Sequence, residues 1–175
     1  TGNVALGDTA LDSVQSGGNN NVAIGHNAGT ALTTGDDNVA IGFEALKTED
    51  EHGRNVAVGY QSLKTLNAGV VAVTTTVGYK SGTSLTTGVQ NVLIGGLSGD
   101  ALTDADFNVA VGNNTLTTDT KGNKSTAIGY EALTAQNFST STDSFNTAVG
   151  FQSGASVTTG RFNTLIGGLA GDALT

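Results

Sequence analysis

The chain has 175 residues, of which 37% are hydrophobic and 5% aromatic, with neither Trp nor Met. A thick core of large side chains is excluded, as are a collagen helix and a Pro-rich linker, because 26 residues are glycine and none is proline. The net charge of −8 disfavours nucleic acid as a partner, the lack of cysteine excludes disulfides and thiolate metal sites, and no apolar run approaches the roughly 20 residues of a membrane span.

Ten copies of one short motif, a variant of Asn-Val-Ala-Ile-Gly, follow one another along the chain. Their final residues, here called the reference glycines, are Gly7, Gly25, Gly42, Gly59, Gly78, Gly95, Gly112, Gly129, Gly150 and Gly167. The steps between them are 18, 17, 17, 19, 17, 17, 17, 21 and 17 residues. Residues 1–175 are therefore interpreted as a single tandem-repeat domain, a fragment or repeating unit of a longer fibre. The two longest steps predict insertions on loops, at residues 67–73 and 136–145.

Each motif alternates in a way that is typical of a β-strand. The residue before the reference glycine is always aliphatic, the next one back is usually Ala, and the one before that is Val or Thr. We expect the large aliphatic side chains to face inward and the Ala and Gly face to admit another backbone. Steps of 17 residues are too short for helix-pair repeats. The sequence predicts an all-β fold, a parallel β-solenoid or β-roll of about ten 17-residue turns, each with a strand, a corner, a second short strand and a return loop.

The fourth residue after the reference glycine divides the turns into two kinds. It is leucine in five turns and glycine in the other five; these are Leu11, Leu46, Leu63, Leu116 and Leu133, and Gly29, Gly82, Gly99, Gly154 and Gly171. In the glycine kind an aliphatic residue follows three positions later. This pattern predicts that glycine lets the chain detour before an aliphatic side chain turns inward.

Asparagine opens eight of the ten motifs and predicts a structural ladder. These residues are Asn3, Asn21, Asn38, Asn55, Asn91, Asn108, Asn146 and Asn163. At a corner of the solenoid, each amide can bond the backbone and stack on its equivalent in the next turn.

An aromatic residue directly follows the reference glycine in five turns, and these residues are the candidate binding positions. They are Phe43, Tyr60, Tyr79, Tyr130 and Phe151. A stacking ladder or a subunit interface is the favoured interpretation, and a platform for sugar or a receptor is the alternative.

Other residues that could take part in catalysis or bind a metal ion are interpreted as solvent-exposed surface residues. His26 and His52 lack repeating partners and are expected to be solvated. The acids Asp36 and Asp37, like the run at residues 49–51, are expected to keep the surface soluble rather than to hydrolyse glycosides. No catalytic residue, metal site or cofactor is therefore predicted.

Two further patterns suggest minor possibilities. Residues 95–103 and 167–175 approximate a calcium-binding nonapeptide but carry Ser98 and Ala170 where that motif requires glycine. Thr33, Thr86 and Thr158 lie in Thr-Thr-Gly segments that suggest an ice-binding face, but threonine does not recur at one place in every turn.

The motif Asn-Val-Ala-Ile-Gly-x-x-Ala/Ser resembles the head repeats of trimeric autotransporter adhesins, and longer forms such as residues 125–133 and 146–154 resemble repeats of phage tail fibres. The resemblance covers every turn and implies a left-handed β-roll in which three chains pack around an axis. We therefore expect a structural module of an extracellular, cell-surface or virion fibre that presents a binding end. The alternatives are an adhesin that binds glycan or matrix, a head-to-tail filament and an ice-binding solenoid.

Overall fold

A ten-stranded parallel sheet runs through the computed structural model, which describes residues 2–174. Its strands are β1 (Val4–Leu6), β2 (Val22–Ile24), β3 (Val39–Ile41), β4 (Val56–Val58), β5 (Thr75–Val77), β6 (Val92–Ile94), β7 (Val109–Val111), β9 (Thr126–Ile128), β11 (Thr147–Val149) and β12 (Thr164–Ile166). The predicted all-β parallel solenoid of about ten turns is thus confirmed. Across residues 2–174 the chain contains no helix that could cross a membrane.

The strands pair motif to motif without a slip in register. In the pairing of β2 with β3, for example, Ala23 lies opposite Ala40 and Ile24 opposite Ile41. The same alignment holds across the 21-residue step, where Ala127 of β9 lies opposite Ala148 of β11. The insertions therefore leave the sheet undisturbed, and every column of side chains along the rod corresponds to one offset in the motif.

The remainder of each turn consists of turns and bends rather than the second short strand that the sequence predicted. A second pairing forms at one place, between β8 (Gly122–Asn123) and β10 (Thr142–Asp143). Because β10 lies inside the insertion at residues 136–145, that insertion is partly a strand. Elsewhere in the described chain the return segments bond to one another singly; the N–H of Thr33 donates to the carbonyl of Asp50 at 2.7 Å.

The two faces of the sheet are the reverse of those expected. In the eight inner strands of the sheet the central residue is the buried one, as with Ala23 and Ala57, whereas its two neighbours point away from the core. The interior has room for only one layer of large side chains, and the turns opposite the sheet supply it with residues such as Leu46 and Leu63. The Ala face therefore lines the chain's own core, and the Val and Ile face lies outside.

The two kinds of turn share one backbone. At the fourth position after the reference glycine, Leu116 has φ +49° and Gly99 has φ +56°, so glycine does not produce the predicted detour. The position three residues further on points inward in both kinds of turn, with Leu66 in a leucine-type turn and Leu102 in a glycine-type turn. Glycine instead leaves space for a larger residue from the sheet.

This exchange of volume is visible inside single turns. Leu93 replaces alanine at the centre of β6, and its two methyl carbons lie 3.0 and 3.1 Å from where a Cβ would lie on Gly99. A side chain on Gly99 would therefore collide with Leu93, which maintains the close packing of the core.

The reference glycines form a column in which only glycine fits. Gly112 has φ +139°, and a Cβ added to it would lie 2.5 Å from the carbonyl oxygen of Gly129 in the next turn and 2.7 Å from the carbonyl carbon. Such a separation is shorter than any that a real Cβ adopts, and the backbone conformation itself is essentially restricted to glycine. The glycine in each motif thus lets successive turns approach to the spacing of paired strands.

Candidate functional site

The outer side of the ten-stranded sheet is an apolar strip, here called the aliphatic face. It consists of the first and third residues of each strand: Val4, Val22, Val39, Val56, Thr75, Val92, Val109, Thr126, Thr147 and Thr164, with Leu6, Ile24, Ile41, Val58, Val77, Ile94, Val111, Ile128, Val149 and Ile166. None of these residues is charged. Side chains in the middle of the strip, such as Ile94 at 37% exposure, remain open to solvent although they have neighbours above and below.

The aliphatic face is large enough to be an interaction surface. Ten strands spaced by about 4.8 Å extend over about 43 Å. Together with the two edge columns, which are the residue before each asparagine and the residue after each reference glycine, the surface is seven residues or roughly 20 Å wide, and its area of about 900 Å² matches the approximately 800 Å² that each partner contributes to a standard protein interface. The three-residue strands account for about 430 Å² of it, and an apolar patch of that size on a soluble protein is often functional.

The five aromatic residues predicted from the sequence lie along one edge of the aliphatic face, in the column that follows the reference glycines. All five are exposed, and the structure brings them together in two groups. Phe43 and Tyr60 stack with ring centroids 5.2 Å apart, Tyr60 and Tyr79 with centroids 5.5 Å apart, and Tyr130 and Phe151 with centroids 5.4 Å apart. The groups are separate because the two intervening turns carry residues 96 and 113, a glycine and an asparagine.

His26 extends the first group by one ring. Its imidazole stacks on Phe43 with a centroid distance of 5.6 Å, and its Nδ1 lies 3.5 Å from a carboxylate oxygen of Asp8. His26 is exposed, as expected for a solvated residue, and it is also a member of the stack. The signal was present in the sequence, because His26 occupies the same offset from its reference glycine as the five aromatic residues.

A second aromatic column lies along the other edge of the aliphatic face and was missed in the sequence. It contains the residue before the motif's opening position, which is Phe107, Phe145 and Phe162 in three turns. All three rings are exposed, and Phe145 stacks on Phe162 with centroids 5.4 Å apart. Lys124 Nζ lies 5.2 Å from the centroid of Phe145, an arrangement that permits a cation–π contact. Both edges of the aliphatic face thus carry exposed rings.

The asparagines lie just inside this edge, where the chain enters each strand. Their side chains bridge turns, as Asn91 shows: its Oδ1 accepts a hydrogen bond from the N–H of Asn108 at 2.9 Å, and its Nδ2 donates to the carbonyl of Ala105 at 2.8 Å. The same acceptor geometry connects Asn21 to Asn38 at 2.9 Å. The buried members are Asn21, Asn38, Asn55, Asn91, Asn108 and Asn146, while Asn3 and Asn163 belong to the two outermost strands and are half-buried.

A charged cluster lies beside the first aromatic group. The Glu44 carboxylate accepts from Lys47 Nζ and from Lys64 Nζ, each at 2.7 Å, and from Gln61 Nε2 at 2.8 Å. These donors, the Lys47 ammonium foremost, lower the pKa of Glu44 to about 2. Glu44 follows the aromatic residue Phe43 directly, so the cluster forms a polar rim next to the rings.

The remaining candidate binding residues from the sequence do not form a common site, except for a cluster of Glu49, Asp50 and His52. Thr33 and Thr86 each donate a hydroxyl hydrogen bond of 3.0 Å to a carbonyl of the next turn, which removes those hydroxyls from a water-ordering surface. Glu49 is fully buried, contrary to the expected solubilising role, and ligand atoms of Glu49, Asp50 and His52 lie within 4.8 Å of one another. This cluster is the group of described residues that could hold a metal ion.

Comparisons with known proteins do not assign this chain to a family. No family model matches it, and neither the curated proteins nor the solved structures contain a significant match.

Proposed function

We propose that this chain is a structural module of an extracellular or virion fibre, in which copies of the chain associate through the aliphatic face as a homotrimer and present a binding end. The aliphatic face carries the proposal, because its 20 outward-pointing positions have no charged residue and no partner within residues 2–174. The number of copies rests on the resemblance of the motif to trimeric adhesin heads.

The energetics favour association. Covering the strand part of the face, about 430 Å², on each of two chains at roughly 25 cal/mol per Å² yields about 20 kcal/mol. That exceeds the approximately 4–15 kcal/mol that association costs in translational and rotational freedom. Thr75 and Thr126 replace valine on the face without adding charge, and their methyl groups can still contribute to an apolar contact.

A shaft or head module also requires a shape that does not yield along its length. The unbroken register and the column of reference glycines hold successive turns at one spacing. The asparagine side chains add bonds that run parallel to the rod axis, from one turn to the next. These features support a scaffold role more directly than they support a flexible binding loop.

Sedimentation velocity and light scattering of the purified chain test the proposal. We expect the wild type to be a trimer and Ile94→Asp to be a folded monomer, because the variant puts a charge at the centre of the aliphatic face. Val70→Asp is the matched control, since Val70 is a 55% exposed aliphatic residue on an insertion loop away from the sheet. A monomeric wild type would overturn the proposal, and steadily growing rods would favour a head-to-tail filament instead.

The aromatic groups favour one alternative, an adhesin that binds glycan. Inside a stack both faces of a ring are covered, so Tyr60 has no free face, whereas Tyr79 and Tyr130 each border the ring-free turns between the groups. A sugar ring needs such an open aromatic face. If the chain is an adhesin, Tyr79→Ala should lose glycan binding on a microarray, whereas Tyr60→Ala should retain most of that binding. Both variants should remain trimeric. Absence of glycan binding by the wild type would exclude this alternative.

A further inference from the structure

Two carboxylates, Glu49 and Asp119, are fully buried in the same column of the core. Both occupy the seventh position after a reference glycine, where most other turns place an aliphatic residue. A buried carboxylate is costly unless hydrogen bonds or a cation compensate it. The two residues differ sharply in how that compensation is supplied.

Asp119 is surrounded by donors. Its Oδ1 accepts from the N–H groups of Gly122 at 3.0 Å and Phe138 at 3.1 Å, and its Oδ2 accepts from Gln136 Nε2 at 2.6 Å. Both oxygens therefore have partners, and the surrounding protein accounts for this carboxylate without an additional ligand.

Glu49 lacks such a shell. Its Oε1 accepts one hydrogen bond, from the N–H of His52 at 3.2 Å, and its buried Oε2 has no partner. The Nδ1 of His52 is also buried without a partner and lies 3.5 Å from Glu49 Oε1. Burial raises the pKa of the Glu49 carboxyl, and backbone N–H groups, led by that of His52, counteract part of this rise. A buried imidazole nitrogen and a buried carboxylate thus lie side by side, both with unused capacity to bind a partner.

The turns around the two acids differ at the positions that matter. Asp50 and His52 in the turn of Glu49 are replaced by Thr120 and Gly122 in the turn of Asp119. Ligand atoms of Glu49, Asp50 and His52 lie within 4.8 Å of one another. Atoms bound tetrahedrally to one Zn²⁺ at about 2.0–2.2 Å are about 3.3–3.6 Å apart, so the side chains of Asp50 and His52 need to approach by roughly 1 Å to bind one ion.

We propose that Glu49, Asp50 and His52 form a binding site for a divalent transition-metal ion, with Zn²⁺ as the best-matched ion. One imidazole nitrogen with two carboxylate oxygens is a ligand set that zinc accepts, whereas Ca²⁺ and Mg²⁺ prefer oxygen alone. A tetrahedral ion keeps its fourth position for water.

The site has a route to solvent. Asp50 and His52 are half-buried, and His52 also lines a surface pocket with Asp36, Asp37 and Glu51. Arg54 lines the same pocket, so three carboxylates face one guanidinium there. The excess of negative charge, in a chain with a net charge of −8, attracts a cation towards the buried ligands.

Calorimetric titration of the full 175-residue chain with ZnCl₂ tests the site. We expect one ion per chain, with a dissociation constant at or below about 10 µM. His52→Asn, at a side chain with 24% exposure, should weaken binding by at least about tenfold, and Glu49→Gln should do the same. His26→Asn is the matched control, because it removes the other histidine, and it should leave binding unchanged.

Two further measurements separate binding from folding. Zinc should raise the thermal midpoint of the wild type and of His26→Asn but not that of His52→Asn. X-ray absorption of the zinc complex should show nitrogen and oxygen ligands with one imidazole. Absence of saturable zinc binding would overturn the proposal, as would binding that survives His52→Asn or that disappears in His26→Asn.

Discussion

Replacing a reference glycine by alanine should be far more costly in the middle of the rod than in its last turn. Gly112 has φ +139° and Gly167 has φ +123°, so alanine suffers a similar backbone strain, about 1–3 kcal/mol, at both positions. At Gly112 the new Cβ would also meet the backbone of Gly129 at 2.5 Å, whereas at Gly167 no atom lies within 4 Å among the described neighbours.

The additional cost at Gly112 can be placed on a scale. Relieving the clash requires two turns to separate where the N–H of Gly129 donates to the carbonyl of Val111 at 2.8 Å. Overpacking of a rigid interior costs about 1–3 kcal/mol. We therefore expect Gly112→Ala to lower the free energy of unfolding by about 1–3 kcal/mol more than Gly167→Ala does.

Urea unfolding followed by circular dichroism, at one fixed chain concentration, measures the difference. Because each turn of a solenoid contacts only its neighbours, both midpoints are recorded if Gly112→Ala divides the transition into two steps. Equal losses in the two variants, within about 0.5 kcal/mol, would refute the steric explanation and leave backbone strain as the only reason for glycine.

Three other substitutions probe the core, the asparagine column and the charged cluster. Leu116→Ala should cost about 2–5 kcal/mol in urea unfolding, because Leu116 is fully buried, whereas Val70→Ala on the exposed insertion loop should change the free energy of unfolding by less than about 0.5 kcal/mol. Asn91→Ala should cost about 2–4 kcal/mol by the same measurement, because it leaves a buried N–H and a buried carbonyl without their partners. The pKa of Glu44 in the folded chain, about 2, lies below its ordinary value of 4.5. The ionised Glu44 therefore makes its full contribution to the free energy of unfolding above pH 4.5, and this contribution is lost as the pH falls towards 2. Glu44→Gln should therefore be about 1–2 kcal/mol less stable than the wild type at pH 7 and should lose that deficit towards pH 2.

Each of these has a result that would contradict it. A large loss for Val70→Ala with a small one for Leu116→Ala would contradict the placement of Leu116 in the core. A loss below about 1 kcal/mol for Asn91→Ala would show that water replaces the amide. A stability difference between wild type and Glu44→Gln that does not change between pH 5 and about pH 2 would mean that the lysines contribute nothing through Glu44.

The repeat made the architecture predictable. A step of 17 residues and alternation before each reference glycine leave few folds other than stacked parallel strands, and strict stacking then fixes the register. The aromatic positions Phe43, Tyr60 and Tyr79 came from the same alignment, because one offset in the motif becomes one column on the rod.

The direction of the strand faces could not be predicted from alternation alone. Period two separates Ala57 from Val56 and Val58 but does not say which side is inside. The answer depends on the opposite wall, where Leu46 and Leu63 already fill the thin interior. The volume of the side chains on one wall thus decides which residues fit on the other, and this information lies outside the strand, six residues after Ala57 at Leu63 and eleven residues before it at Leu46.

The buried acids escaped prediction for a related reason. Glu49 lies in a charged run that is typical of a solvated loop, and only its position in the aliphatic column places it inside. The second aromatic column was missed because Phe107, Phe145 and Phe162 occupy too few turns to stand out. Both features can be recognised once every position of the repeat, including those whose residue varies from turn to turn, is assigned either to the core or to the surface.

The left-handed backbone described for Leu116 and its equivalents has a consequence for how the rod forms. Across the described chain, 24 residues other than glycine have positive φ, a conformation that costs an L-amino acid about 1–2 kcal/mol. One turn alone bears that strain without the bonds to its neighbours that offset it. Nucleation should therefore require several turns to form contacts at once, after which each further turn adds to an existing template. Very short fragments of this rod should remain unfolded, whereas long ones should fold cooperatively.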